Sequence, residues 1–393
     1  MLRISLAAIA IFFHTLLGFA SAQQDSTSYQ NRKLKLEEIN FVTSYYHQEG
    51  NNSAVTGGIG TEKLSDFGTT IDVRLSKYDS RKRKHTLIGE MGIDVYSSAS
   101  SDKIDPNTIS SASSMDVRVY PSLTYSITND EKRTTLLMNG SFSGEYDYIS
   151  KGASLGWSKL SRDKNREFSA KGLVFLDTWS VILPVELRSS TKKNSTEPRN
   201  SYSASFTLSQ VINKRMQLLL LSDVAYQEGL LGTLYHRTYF TDGSHKVENL
   251  PETRLKIPLG IRWHYFLADR YIIRAYYRYY QDSWGLKANT YEIETPIKLT
   301  PFVSISPFYR YYTQQGIEYF APYQQHALSE EYYTSDYDLS TLSSHLMGMG
   351  LRLSPPGGVL NMSHVNSLEL RYGHYERSTQ LNSNIISLLI KLK

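Results

Sequence analysis

The chain has 393 residues, no cysteine, 30 tyrosines and a formal net charge of +5, and 40% of its residues are hydrophobic. The absence of cysteine excludes a disulfide framework and thiolate chemistry, and so small a net charge gives no support to a nucleic-acid-binding protein. The mean hydropathy of −0.38 is compatible with a large soluble secreted protein as well as with a membrane protein made of strands.

The N-terminus carries the pattern of an export signal. Arg3 precedes an apolar stretch over residues 4–19, and three small residues follow at 20–22. A spanning helix is the competing interpretation, but the stretch is short, terminal and directly followed by a cleavage pattern. We therefore predict a signal peptide over 1–22 and a mature chain over 23–393, which we interpret as one domain.

A strict alternation of apolar and polar residues identifies the strands. Between Ser114 and Thr128, one parity is apolar and the other is charged or hydroxylic. Only a β-strand has a period of two. The apolar set is Met115, Val117, Val119, Pro121, Leu123, Tyr125 and Ile127.

The same pattern recurs along the chain, beginning with strands at about 36–47 and 70–78. Long loops alternate with short polar turns, as in outer-membrane barrels. We predict an all-β fold, an antiparallel transmembrane β-barrel of about 16 strands, with 14 or 18 as alternatives because an even number returns both termini to one side. The count of 16 requires residues 168–187 to form one strand, although Pro184 would remove a ladder donor.

Charged residues cluster on the polar parity in the third quarter of the chain. A charge facing lipid costs a few kcal/mol, so these side chains are predicted to face the lumen. Two interpretations stay open: an eyelet whose opposed charges select solutes, and a lattice of cross-strand ion pairs that seals the lumen. The predicted wall consists of Arg262, Arg274, Arg278, Glu292, Glu294 and Arg310.

An acidic segment, the histidines and one Ser-His pair are further candidate sites. The segment EEYYTSDYD contains Glu330, Glu331, Asp336 and Asp338, which is either a Ca²⁺-binding loop or a solvated acidic loop without EF-hand spacing. The histidines show no metal-binding spacing. Ser344 and His345 are neighbours on a strand and point to opposite faces, so they form no catalytic dyad. We predict no enzyme activity, no cofactor and no metal site.

Several segments resemble a family of exported bacterial proteins known only as domain of unknown function 3570. They are SAVTGGIGTEKL, LKIPLGIRWHYFLADRYIIRAYYRYYQDSWGL, YEIETPIKLTPFVSISPFYRYY, EYYTSDYDLS and ELRYGHYERST. Members of that family have no assigned activity and are encoded beside a small lipoprotein and a flavin transferase that attaches FMN to exported proteins. The resemblance implies a part in a flavin-linked redox system of the cell envelope.

The leading prediction is a bacterial outer-membrane barrel that acts as a channel or transport conduit for small polar or charged solutes. The alternative is a sealed barrel that serves as a scaffold for envelope partners, such as a small lipoprotein or an exported flavoprotein. In that case the long loops at 227–253 and 313–341 would supply the binding face. The sequence does not predict an oligomeric state.

Overall fold

The structure is a computed structural model, and it describes residues 33–97, 115–181, 183 and 195–393. The predicted signal peptide, most of the loop predicted for residues 97–113, and Pro184 lie outside these residues. Among the residues described, no helix has the length and apolarity needed to span a membrane.

Nineteen strands form in the described part of the chain. The first nine are β1 (Lys35–Glu49), β2 (Leu64–Tyr78), β3 (Lys84–Ser97), β4 (Met115–Asn129), β5 (Thr134–Gly144), β6 (Tyr148–Leu160), β7 (Arg166–Ser180), β8 (Thr196–Asn213) and β9 (Met216–Gly229). A short loop hairpin follows, β10 (Arg237–Tyr239) and β11 (His245–Val247). The remainder are β12 (Thr253–Leu267), β13 (Tyr271–Asp282), β14 (Lys287–Glu294), β15 (Ile297–Lys298), β16 (Val303–Gln315), β17 (Leu342–Leu353), β18 (Val365–Arg377) and β19 (Leu381–Leu392). Single 3₁₀ turns occur at Ala54–Thr56, Tyr337–Leu339 and Val359–Asn361.

All strands except the loop hairpin belong to one antiparallel sheet that closes on itself. β14 and β15 both pair with β13 and β16, so they are two parts of one barrel strand. The break falls at Thr295 and Pro296, and proline has no backbone N–H to continue the ladder. β1 pairs with β2 on one side and β19 on the other. The prediction of a 16-stranded antiparallel transmembrane barrel is confirmed.

The alternating residues divide into an outer and an inner face. The outer parity of β4 leaves Val117 and Leu123 42% and 55% exposed, although both are apolar. The other parity lies on the concave side, because its side chains touch across intervening strands. Arg371 Nη1 on β18 donates to Glu294 Oε1 on β14 over 2.9 Å. β16 and β17 lie between these two strands in the sheet, so the hydrogen bond spans both of them.

Aromatic side chains lie near both ends of the apolar outer face. Such girdles mark the two interfaces of a membrane-spanning barrel. Exposed rings toward the loop ends of their strands are those of Tyr45, Phe67, Tyr202, Tyr226, Tyr291 and Tyr372. Exposed rings toward the turn ends are those of Tyr125, Trp157, Phe168 and Tyr271.

A charge placed on the middle of the outer face should destabilise the barrel. Leu123→Arg puts a guanidinium against lipid and should lower the free energy of unfolding by about 2–4 kcal/mol. Ser122→Arg is the matched control, because Ser122 lies one residue away on the inner face, opposite Glu90 in the strand register. Urea unfolding of both variants in lipid vesicles measures the difference. Equal losses for the two variants would contradict the assignment of the faces.

Candidate functional site

The six residues of the predicted charged wall all lie on the inner parity of β12–β14 and β16. Arg262, Tyr276, Glu292 and Arg310 follow one another across four neighbouring strands. The next inner row contains His264, Arg274, Glu294 and Phe308.

Only part of this wall forms ion pairs. Arg274 Nη1 lies 3.1 Å from Glu294 Oε2, and Glu294 also pairs with Arg371, which in turn lies 3.1 Å from Glu369 Oε1. Glu292 and Arg310 are register partners, but among the described residues they form no salt bridge. The register places the six predicted residues on one inner wall, and among the described residues Arg274 is the only one of the four arginines that forms a salt bridge with either glutamate.

Arg262 and Arg278 lie near tyrosine rings. Arg262 Cζ lies 5.0 Å from the centre of the Tyr276 ring, and Arg278 Cζ lies 5.8 Å from that of Tyr280. Within the part of the chain described, no carboxylate lies at salt-bridge distance from either guanidinium. Arg262 is exposed although it faces inward, so its guanidinium is not covered by other side chains.

An acidic patch lies directly across the lumen from the predicted charged wall, which we name the basic wall because its four arginines outnumber its two glutamates. Asp72 on β2 and Glu90 on β3 are register partners on the inner face, and Asn40 Nδ2 donates to Asp72 Oδ2 over 3.1 Å. Seven barrel strands separate β3 from β13 in either direction around the ring. The acidic patch and the basic wall are therefore on opposite sides of the barrel. Arg74 and Arg118 flank the patch toward the turn end and the loop end.

The loops at one end of the barrel fold together into a cap, which we define as residues 50–63, 230–252, 316–341 and 378–380. The loop between β9 and β12 crosses the mouth: Arg237 Nη1 donates to the carbonyl of Val55 over 2.9 Å, in the loop between β1 and β2. Tyr235 donates to the Asp147 carboxylate in the turn between β5 and β6. The cap thus connects opposite sides of the mouth.

The cap has a core of its own. Phe240 is fully buried and packs on Tyr333 with ring centroids 5.0 Å apart. At the rim, Trp284 in the turn between β13 and β14 is buried, and the Arg254 guanidinium lies 4.2 Å from its ring. Arg254 Nε donates to the buried Asp282 carboxylate over 2.9 Å, which joins β12 to β13. Apolar side chains of the cap pack against Trp284 and hold the cap to the rim.

Close backbone contact explains the glycines of the first cap loop. Gly58 has a φ of 86°, a conformation that favours glycine. A Cβ atom there would lie 2.7 Å from the carbonyl oxygen of Ser335. The segment is a turn packed against the 316–341 loop.

The four carboxylates predicted as a loop-binding group have different partners. Glu330 Oε2 lies 2.5 Å from His326 Nδ1, and Asp338 pairs with Arg377. Asp336 Oδ2 lies 3.8 Å from His236 Nδ1. Glu331 is exposed, and its backbone carbonyl accepts from Asn249 Nδ2.

Several carboxylates in the cap have strongly perturbed pKa values. Burial raises the pKa of Glu62 to about 7, with a further rise from Asp338 and Asp336, while Arg377 acts in the opposite direction. Burial likewise raises the pKa of Asp336 to about 6. Burial lowers the pKa of His236, but Glu248 and Asp336 outweigh it, so the net shift is upward.

Sequence reasoning missed Glu62 and Glu248 in the cap, Arg377 at the end of β18 beside it, and Asp72 and Glu90 in the lumen. The parity of β2 and β3 carried the signal for Asp72 and Glu90. For the cap residues no periodic signal exists, because long-range loop contacts bring them together.

The sequence profile of the family described as "Protein of unknown function (DUF3570)" matches residues 100–387. No curated protein matches the chain.

Several solved structures are similar to the chain. OccAB1 of Acinetobacter baumannii is 10% identical, with 95% of this chain and 99% of that one covered and a TM-score of 0.43. A BenF-like porin from Pseudomonas fluorescens Pf-5 is 8% identical, with 90% and 98% covered and a TM-score of 0.44. OccD3 (OpdP) of Pseudomonas aeruginosa is 9% identical, with 90% and 91% covered and a TM-score of 0.43.

The raised pKa of Glu62 predicts that the cap loosens as pH rises. Between the ordinary value of 4.5 and about 7 the folded cap binds more protons than the open one, so its stability falls across this window and stays low above it. Glu62→Gln removes that share of the pH dependence. Hydrogen exchange of the cap amides at a series of pH values measures this dependence, and EDTA is present so that no metal ion contributes.

Glu331→Gln serves as the control, because Glu331 is an exposed glutamate of the same cap. It should leave the pH profile of the wild type unchanged. A profile for Glu62→Gln as steep as that of the wild type would refute the assignment.

Proposed function

The chain belongs to the family of proteins of unknown function DUF3570, and we propose that it is an outer-membrane channel for small polar or charged solutes. The barrel supplies the wall of the conduit. The basic wall and the opposing acidic patch supply its selectivity.

The observation that carries this proposal is that charged side chains on the inner face of the barrel are exposed. The Arg274 side chain is 43% exposed although it faces the lumen, and Arg262 is also exposed there. A lumen sealed by a dense ion-pair lattice would bury these groups. Among the described residues, the only ion pairs that involve the predicted wall are Arg274–Glu294 and Glu294–Arg371, with Glu369 beside Arg371.

The arrangement of charge supports selection of solutes by charge. Arg262 and Arg278 are unpaired on one side of the lumen, and Asp72 and Glu90 form no salt bridge among the described residues on the other. Opposed charges across a narrow lumen produce a transverse field that orients and sorts polar solutes. A location in the outer membrane is supported by the apolar outer face and its two aromatic girdles.

The cap favours a second candidate function. Loop 230–252 extends across the mouth to Val55, and a cap that closes the mouth would turn the barrel into a scaffold. Its partner would then be an envelope protein such as a small lipoprotein or an exported flavoprotein, as the family resemblance implies.

Reversal of the unpaired basic charges should change ion preference. A single charge contributes about 1 kcal/mol at about 4 Å in water, so Arg262→Glu with Arg278→Glu should shift the anion-to-cation permeability ratio by roughly fivefold or more toward cations. Asp72→Asn with Glu90→Gln should shift it toward anions. Reversal potentials in planar bilayers under a salt gradient give the ratio.

Arg162→Glu, in the exposed turn between β6 and β7, is the control and should not alter the ratio. An unchanged ratio in both lumenal variants would reject the eyelet.

Excision of the loop hairpin should show which of the two candidate functions, channel or scaffold, the barrel has. His236 and Glu248 lie side by side, because the Glu248 backbone N–H donates to the His236 carbonyl over 2.9 Å. Residues 237–247 can therefore be replaced by Gly-Gly without separating the loop ends. If the barrel is a channel, removal of this bridge across the mouth should raise single-channel conductance.

Absence of conductance both before and after the excision, in a barrel that remains folded, would reject the channel and favour the scaffold. Heat-modifiable mobility on gels reports whether the barrel is folded.

A further inference from the structure

Two loops of the cap bring three metal-ligating side chains together. His236 immediately precedes β10 and Glu248 immediately follows β11, so they form the next rung of the hairpin after Arg237 and Val247. Asp336 comes from the loop between β16 and β17. One candidate ligand atom of each side chain lies within 4.8 Å of those of the other two.

The distances suit a single ion between these atoms. His236 Nδ1 lies 3.6 Å from Glu248 Oε1 and 3.8 Å from Asp336 Oδ2. With metal–ligand bonds of about 2.0–2.1 Å, the ligands of a tetrahedral ion are about 3.4 Å apart. A small inward movement of the two loops would complete that geometry.

One nitrogen of the His236 ring is buried without a hydrogen bond. His236 Nδ1 has no access to solvent and no hydrogen-bond partner in the described structure. A buried polar atom without a partner costs free energy. Both neighbouring carboxylate oxygens lie beyond hydrogen-bond range, at a separation that an interposed cation would fill.

Both carboxylates are held in orientation by outer contacts. The backbone N–H of Thr233 and the hydroxyl of Thr334 donate to the two oxygens of Glu248. Asp336 accepts the Asp338 backbone N–H at Oδ1 over 2.9 Å, which leaves Oδ2 directed at His236. Hydrogen bonds of this kind orient the ligands in metal sites.

We propose that His236, Glu248 and Asp336 bind one divalent transition-metal ion, with Zn²⁺ the preferred ion, and that this ion joins loops 230–252 and 316–341. One imidazole and two carboxylates form a donor set that suits Zn²⁺. The two carboxylates would balance the charge of the ion. The site is independent of whether the barrel conducts.

Titration of the full barrel with Zn²⁺ tests the site. Protein purified in detergent is stripped with EDTA, desalted and titrated by calorimetry, and the wild type should bind one Zn²⁺ per barrel. His236→Gln and Asp336→Asn should each weaken that binding by more than about tenfold, because each removes a ligand. His245→Gln is the control, since His245 lies on the same hairpin against Tyr239, outside the triad.

Limited proteolysis supplies a second measurement. Zn²⁺ should protect loop 230–252 in the wild type and the control, but not in the two ligand variants. The same digestion in EDTA, without bound metal, shows whether the cap of each variant is as resistant as that of the wild type. Only a variant whose cap is equally resistant in EDTA is used to judge the proposal. The proposal is overturned if the wild type binds no stoichiometric Zn²⁺, or if a ligand variant with an intact cap binds it as tightly as the wild type. The second result would leave His236 as a neighbour of the two carboxylates with no role in metal binding.

Discussion

The structure depends on closure of the sheet. In a hydrocarbon layer no water is available for unpaired backbone groups, so a spanning sheet is stable only if every strand has two neighbours. The pairing of β1 with β19 meets that requirement over eleven register pairs, from Ile39 with Leu392 to Glu49 with Asn382. Because the ring is closed, each strand must present one parity to lipid and the other to the lumen.

Closure also decides which charges face one another. In a ring of sixteen strands, β2 and β3 lie opposite β12 and β13, so Asp72 and Glu90 share the lumen with Arg262 and Arg278. Neither patch alone would produce a transverse field. The function we propose therefore follows from strand number and register as much as from the residues themselves.

Much of the barrel could be predicted from the sequence, because alternation is a local signal. The parity of Val117 and Arg118 identified β4, and the rhythm of loops and turns led to sixteen strands. Strand ends were less accurate: β2 begins at Leu64 rather than near Thr70. The sequence also could not predict which charged residues form ion pairs, since register neighbours such as Glu292 and Arg310 need not touch. The site in the cap was missed because Glu248 and Asp336 are remote in sequence and meet only through loop packing.

The cap and the lumen differ in how their charges are balanced, and that difference indicates where selection takes place. In the cap, Asp338 is paired with Arg377, and the field of two opposite charges in contact falls off faster with distance than that of a single charge. Halfway down the barrel, Arg262 and Asp72 form no salt bridge among the described residues. A solute that passes the cap would therefore meet its strongest field at the middle of the barrel. In the channel that we propose, the cap would limit which solutes enter by size, and the lumen would sort them by charge.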